Sequence, residues 1–200
     1  MSAAETDSTV MVEPSHRTRL LQAMAAVTAE KGFADTTIAD LVREAGVSKR
    51  TFYEHFDSKE ACFLALYQAA SDAALRALTA SLLPDRPWQP QMEHGLRTYF
   101  AHLAAAPSLV RTLFVVIIQL GPEGMRVRRG VMNQLADFLL SMSGEEGSTS
   151  GLTPAMALAA VGAINELVLQ AIEANRVAEL TSITADAAEV VRSLTQAQRF

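Results

Sequence analysis

Side chains capable of catalysis or metal binding are sparse in this chain, and their spacing limits what they could do. A single cysteine, Cys62, excludes a disulfide framework and a multi-cysteine zinc site. The four histidines, His16, His55, His94 and His102, offer no metal-ligand spacing: the nearest pair, His94 and His102, would stand about two helical turns apart. No serine, cysteine or carboxylate pair has a visible base partner, so the residues give an enzyme little to work with. No metal and no cofactor is expected.

The densest polar pattern lies in residues 37–56, TIADLVREAGVSKRTFYEHF. Thr37, followed three residues later by Asp40, reads as a capping box that starts a helix. Ile38, Leu41, Val42 and Ala45 then form one apolar stripe over about two turns. Gly46 permits a tight turn, Val47 supplies an apolar plug and Ser48 caps the next helix. In that helix Phe52 and Phe56 turn inward as core. Arg50, Thr51 and Glu54 point away from them, with Lys49, Tyr53 and His55 on the shoulders. Two short helices joined by a glycine-containing turn, the second with its polar face outward, make a helix-turn-helix. Such a helix can enter the ~12 Å major groove of DNA and read base edges. Glu54 either pairs with Arg50 at i+4 or accepts from a cytosine. Tyr53 either packs at the core edge with its hydroxyl on a phosphate, or packs only.

Two charge placements favour DNA over a merely solvated face. His16, Arg17 and Arg19 stand in the first turn of the first helix, where the dipole disfavours positive charge unless an outside anion answers it. Lys59 follows an expected Asp57…Glu60 capping box, where bare N–H groups and a lysine would clamp a phosphate.

The elements that must position these groups read as all-α. The chain has 200 residues, half of them hydrophobic, and a net charge of −5; it can bury a sizeable core, and bulk positive charge is not how it would hold nucleic acid. Segments between the prolines and glycines show a 3.6-residue period, without long alternating β-branched runs. Helices are expected near 15–31, 38–45, 49–55, 58–82, 90–106, 108–119, 122–142, 154–176 and 183–197. Gly32, with Phe33 folding back, should end the first; Thr153-Pro154 should start the eighth. Residues 1–14 read as a disordered acidic tail and 144–151, GEEGSTSG, as a flexible loop. The tail lacks a basic signal region, and the most apolar run, Leu113–Ile118, is far shorter than the ~20 residues of a membrane span, so a soluble, cytoplasmic chain without a membrane partner is expected.

Residues 15–70, carrying LLQAMAAVTAEKGF and TTIADLVREAGVSKRTFYEHFDSKEACFLAL, resemble the DNA-binding domain of the tetracycline-repressor (TetR) family. The resemblance covers about a quarter of the chain. It implies three N-terminal DNA-binding helices (15–60, helix-turn-helix 37–56), followed by a larger helical ligand-binding and dimerisation domain (61–200). It further implies a homodimeric transcriptional regulator, most often a repressor, binding a palindromic double-stranded operator and answering a small-molecule effector. The family's DNA-contact positions that match here are Thr37, Ser48, Lys49, Arg50, Thr51, Tyr53, His55 and Lys59; Arg17 joins them from its place on the first helix. Val42 and Arg50 stand where smaller residues are common, so base preference does not carry over.

The rest of the chain reads only through its physics. On the 90–106 helix Met92, Leu96, Tyr99, Leu103 and Ala106 form one stripe, with Phe100 and His102 on its shoulders. The next helix, apolar around most of its circumference, should be buried in the centre of the ligand domain. Met125, Met132, Leu135, Phe138 and Leu139 form the buried stripe of the 122–142 helix. Asn165 sits among Leu158, Val161, Leu169 and Ile172, an amide that needs a partner, either a protein group or a ligand. The effector is expected to be a small apolar molecule lined by Tyr99, Phe100, Phe114, Met132 and Asn165. The dimer contact is expected on the last two helices, through Ala155, Leu158, Ala159, Gly162, Leu169 and Ile172, or through an apolar strip of Ala187, Val190, Val191 and Leu194. Cys62 reads as a small buried hydrophobe, with a redox sensor as the alternative. A DNA-binding regulator without a ligand, and an enzyme, are the competing functions.

Overall fold

The computed structural model describes residues 14–83, 86–143 and 152–196; the expected tail and the 144–151 loop lie outside them. Among the described residues all regular structure is helical. The order is α1 (His16–Lys31), α2 (Ile38–Ala45), α3 (Lys49–His55), α4 (Lys59–Ala80), α5 (Trp88–Ala104), α6 (Pro107–Gln119), α7 (Gly121–Ser143), α8 (Pro154–Glu173) and α9 (Thr184–Gln196). A 3₁₀ segment, Val177–Ile183, joins α8 to α9 where a loop was expected.

Local chemistry sets the starts and stops. The Thr37–Asp40 capping box opens α2, and Gly46 closes it in the left-handed region at φ 61°. Ser48 opens α3 by accepting from Thr51 N, and Thr153 opens α8 with Pro154 at its first position. The cap of α4 is Ser58, whose hydroxyl accepts from Ala61 N at 3.1 Å; the Asp57…Glu60 reading was one residue out. Gly32 ends α1 at φ 83°, but Phe33 packs edge-on against Phe63 of α4, 5.1 Å between centroids, instead of folding back on α1.

Two hydrophobic cores result. The first gathers α1, α2, α3, the first half of α4, α6 and Val131 of α7, around Leu20, Met24, Leu41, Phe52 and Phe63. The second gathers α5, α7, α8, the 3₁₀ segment and α9. Helix α4 runs unbroken from Lys59, and Cys62, Phe63, Leu66 and Tyr67 belong to the first core, so no break separates the two units at residue 60.

Helix α6 departs from expectation. Leu113, Val116 and Ile117 pack into the first core, while Val115 and Ile118 are exposed. It is therefore a shared wall between the two units and not the centre of the second. On α7, Met125 is exposed as well. Of the α9 strip, Ala187 and Val191 are buried in the second core, Leu194 packs against it half-buried, and Val190 is half-buried. Helix α8 is long and apolar enough by composition to cross a membrane. Here Ala157, Ala160, Val161, Val168, Ala171 and Ile172 bury one of its faces.

Candidate nucleic-acid interface and ligand cavity

Phe52 and Phe56 anchor α3 in the first core, at 0% and 6% exposure, so the opposite face of the helix must meet solvent. Lys49, Arg50, Tyr53, Glu54 and His55 are exposed there and Thr51 is half-buried. Arg50 Nε donates to Glu54 Oε1 at 3.1 Å, which settles the local pairing in the free protein. Tyr53 is 56% exposed, with its ring edge-on to that of Phe52, 5.5 Å between centroids. The Ser48 hydroxyl accepts from Thr51 N at 3.0 Å and lies 2.9 Å from Thr51 Oγ1.

The start of α1 lies beside the end of α3. The rings of His16 and His55 meet edge-on with centroids 6.4 Å apart, and the Arg17 guanidinium sits 5.5 Å from the centre of the Phe56 ring. Arg17, Lys49, Arg50, Tyr53 and His55 thus share one exposed edge. Arg19 does not join it: it is half-buried, with Nη1 toward Gly46.

Lys59 is engaged within the chain. Its ammonium donates to the carbonyls of Phe33, Ala34 and Thr36 at 3.0, 3.1 and 2.9 Å, and lies 4.7 Å from the Phe33 ring centre. An ammonium has three donors, and all are spent on the α1–α2 turn. Thr37 is likewise committed. Its hydroxyl donates to Asp40 Oδ2 at 2.6 Å, and its N–H donates to the same carboxylate. Asp40 also takes an ion pair from Lys31 and one from Arg43 at 2.8 Å. Hydrogen bonds from Lys31 and then Thr37 hold its carboxyl far below the usual range.

A cavity lies between the two cores, lined from α4, α5, α6, α7, α8 and α9. The volume open to the centre of a water-sized sphere is about 140 Å³, whereas one water needs ~10–15 Å³ on that measure. Tyr99, Phe114, Met132 and Asn165 line it as expected. Phe100 does not: it is fully buried in the second core. Helix α5 is buried on two sides, by the cavity and by the 3₁₀ segment with α9, so the residue placed on its shoulder is a core centre. Tyr67, Ser71, Leu78, His102 and Met142 line the cavity too. The α4 contributors escaped notice because their helix starts inside the DNA-binding unit. Burial raises both the Tyr67 and Tyr99 phenols above their usual range. Among the described residues no group with metal-ligand geometry occurs.

The comparisons with known proteins complete the site. Residues 20–66 match the model of bacterial regulatory proteins of the tetR family, over α1 to α4 and the helix-turn-helix between. Over those residues the chain is similar to the tetR family's DNA-binding segment. Among curated proteins it is 38% identical over 82 residues to the uncharacterized HTH-type transcriptional regulator YdgC of Bacillus subtilis, covering 41% of this chain and 37% of YdgC. It is 27% identical over 147 residues to the HTH-type transcriptional regulator EthR of Mycolicibacterium smegmatis, covering 70% of this chain and 67% of EthR. The match thus spans little more than a third of YdgC and two thirds of EthR. Among solved structures, the transcriptional regulator FadR of Bacillus subtilis in complex with stearoyl-CoA superposes with a TM-score of 0.71 over 86% of this chain and 96% of FadR, at 17% identity. At that identity the likeness is one of fold alone.

Proposed function

We propose that this chain is a sequence-specific DNA-binding transcriptional regulator, a dimeric repressor released by a small apolar effector held in the cavity. The observation that carries the proposal is α3: a helix pinned by Phe52 and Phe56 that presents Arg50 and its neighbours to solvent. Arg50 reads a base edge after leaving Glu54, while Arg17, Lys49, Thr51, Tyr53 and His55 meet phosphates and sugars on either side. Ser48 and Thr37 act chiefly by fixing the helix starts. The cavity supports the effector reading over a ligand-free regulator, and the FadR complex supports the fold's capacity for an apolar ligand.

A dimer would place two copies of α3 in successive major grooves of a near-palindromic site. Its contact is proposed on the outer face of α8, where Ala155, Leu158 and Ala159 are exposed; Ile172, Ala187 and Val191 are buried in the second core. Release would be a population shift. Helix α6 lends Leu113 both to the cavity and to the first core, so a ligand favouring one placement of α6 biases the DNA-binding unit.

Selection of bound sites from random duplex DNA tests the reading. The expected product is a paired half-site motif, and Arg50→Ala should weaken binding by ~1–3 kcal/mol and relax one base position. No enriched motif, or a motif unchanged by Arg50→Ala, would refute the recognition role given to α3. Leu158→Glu should give monomer mass by light scattering; a retained dimer would place the contact elsewhere.

A further inference from the structure

The chemistry of the cavity wall restricts what the effector can be, an inference that rests on the effector reading above. No Asp, Glu, Lys or Arg is among the lining side chains, and the one lining histidine, His102, is exposed to solvent. A carboxylate, phosphate or ammonium drawn fully inside would leave water with no ionic side chain in the wall to receive it, which is strongly unfavourable. The Arg128 charge is felt at the Tyr67 phenol, but Arg128 is not itself part of the lining.

The wall is nonetheless not silent. Tyr67 from α4, Tyr99 from α5 and Asn165 from α8 all line the space. Neither phenol hydroxyl nor the Asn165 amide is among the buried atoms left unpaired within the described residues; all three belong to side chains that line the open space. The Ser71 hydroxyl donates to Tyr67 O at 2.8 Å. Three polar groups that face a cavity from three helices, around an otherwise apolar space, define a recognition pattern for a ligand with few, placed polar atoms. Burial keeps both phenols protonated, so they serve as donors across the ordinary pH range. Asn165 offers both a donor and an acceptor.

We infer that the effector is an uncharged molecule with an apolar body and a carbonyl, amide or hydroxyl group that hydrogen-bonds to Tyr67, Tyr99 or Asn165, and that its anionic counterparts are excluded from the cavity. The carbonyl or hydroxyl accepts from the phenols, and the amide meets Asn165 from both sides. A hydrocarbon without such a group would bond to none of the three.

Three molecules that share a chain and differ in the head group test this on the full-length protein: decanamide, decan-1-ol and decanoate, at pH 8 and below micellar concentration. The readout is the melting temperature against ligand concentration, since a ligand that binds only the folded state stabilises it. Decanamide and decan-1-ol should raise the Tm, with decanoate needing at least tenfold higher concentration for the same rise. Asn165→Leu should cost decanamide about tenfold while leaving decan-1-ol within threefold, and Tyr99→Phe should weaken the alcohol. Ala74→Phe, which projects a ring into the cavity, should abolish all three responses. Should that variant fail to fold, competition between decanamide and decan-1-ol for a single saturable site replaces it. Decanoate acting as well as its neutral congeners would overturn the inference and leave the effector reading standing. No response to any of the three would overturn both. Responses that survive Ala74→Phe, or two ligands that bind without competing, would place binding outside the cavity and overturn the inference.

Discussion

Replacing Lys59 with methionine separates two roles that a lysine at this place could have. Methionine keeps an unbranched apolar stem near the Phe33 ring and removes the ammonium that donates to three carbonyls. Two of those acceptors, Phe33 O and Thr36 O, are partly buried, and losing their partner costs about 1 kcal/mol each. The lost cation–ring attraction adds about 0.5 kcal/mol. A total near 2–3 kcal/mol corresponds to a fall in Tm of roughly 4–12 °C for a chain of this length. If Lys59 is a latch on the α1–α2 turn, operator affinity measured well below the Tm should keep its dependence on salt. A phosphate contact would instead lower the slope of log K against log salt by about 0.9 for each subunit. Fluorescence anisotropy on a labelled duplex between 50 and 300 mM salt, beside a thermal melt, measures both quantities. An unchanged Tm with a reduced slope would refute the latch.

Three further outcomes follow from the geometry. Cys62 has no exposed surface, and burial pushes its thiol from the ordinary 9.0 up to about 12; its thiolate fraction at pH 8 falls roughly 1000-fold, so a colorimetric thiol reagent should react only after denaturation, and rapid reaction of the native chain would revive a redox role. A methyl group on Gly124 would sit 2.2 Å from Ile117 O and 2.8 Å from Leu120 Cβ. Gly124→Ala should therefore force the α6–α7 corner open and lower the Tm despite better helix propensity, by about 1–2 kcal/mol, whereas Gly130→Ala, with nothing within 4 Å, should be neutral or stabilising. The carboxyl of Asp40 is depressed in the folded chain, so its contribution is full above its ordinary value of 3.8 and fades as pH falls below it. The Tm gap between wild type and Asp40→Asn should be constant from pH 7 to about 5 and narrow in more acid solution; a gap independent of pH would show that the ion pairs with Lys31 and Arg43 contribute nothing.

What could be read from residue types depended on how local the controlling physics was. The caps Thr37, Ser48 and Thr153, the Gly46 turn and the inward pair Phe52 and Phe56 are decided within a few residues, and each is where its neighbours demand. Membership in α6 of two cores is not local. The run from Leu113 to Ile118 is apolar whichever partner covers it, and only the tertiary arrangement turns Val116 and Ile117 toward the first core and leaves Val115 and Ile118 in solvent. The partners of Lys59 are not local either, because the carbonyls its ammonium serves lie 23 to 26 residues earlier in the chain. In the cavity, Tyr99, Phe114, Met132 and Asn165 were legible as helix-spaced residues of one unit, whereas Tyr67 and Ser71 were not, since their helix belongs to both.

That double membership has a practical side for anyone wishing to retune the protein as a sensor. Tyr67, Leu113 and Val131 each face the cavity and each belong to the core of the DNA-binding unit. A library varied at those positions would mix altered ligand preference with altered folding of the reader, and a colony that loses its response could have lost either. Met92, Phe138, Met142 and Ile164 line the same space without belonging to that core. Diversity confined to them can reshape what is sensed while the part that reports it stays intact.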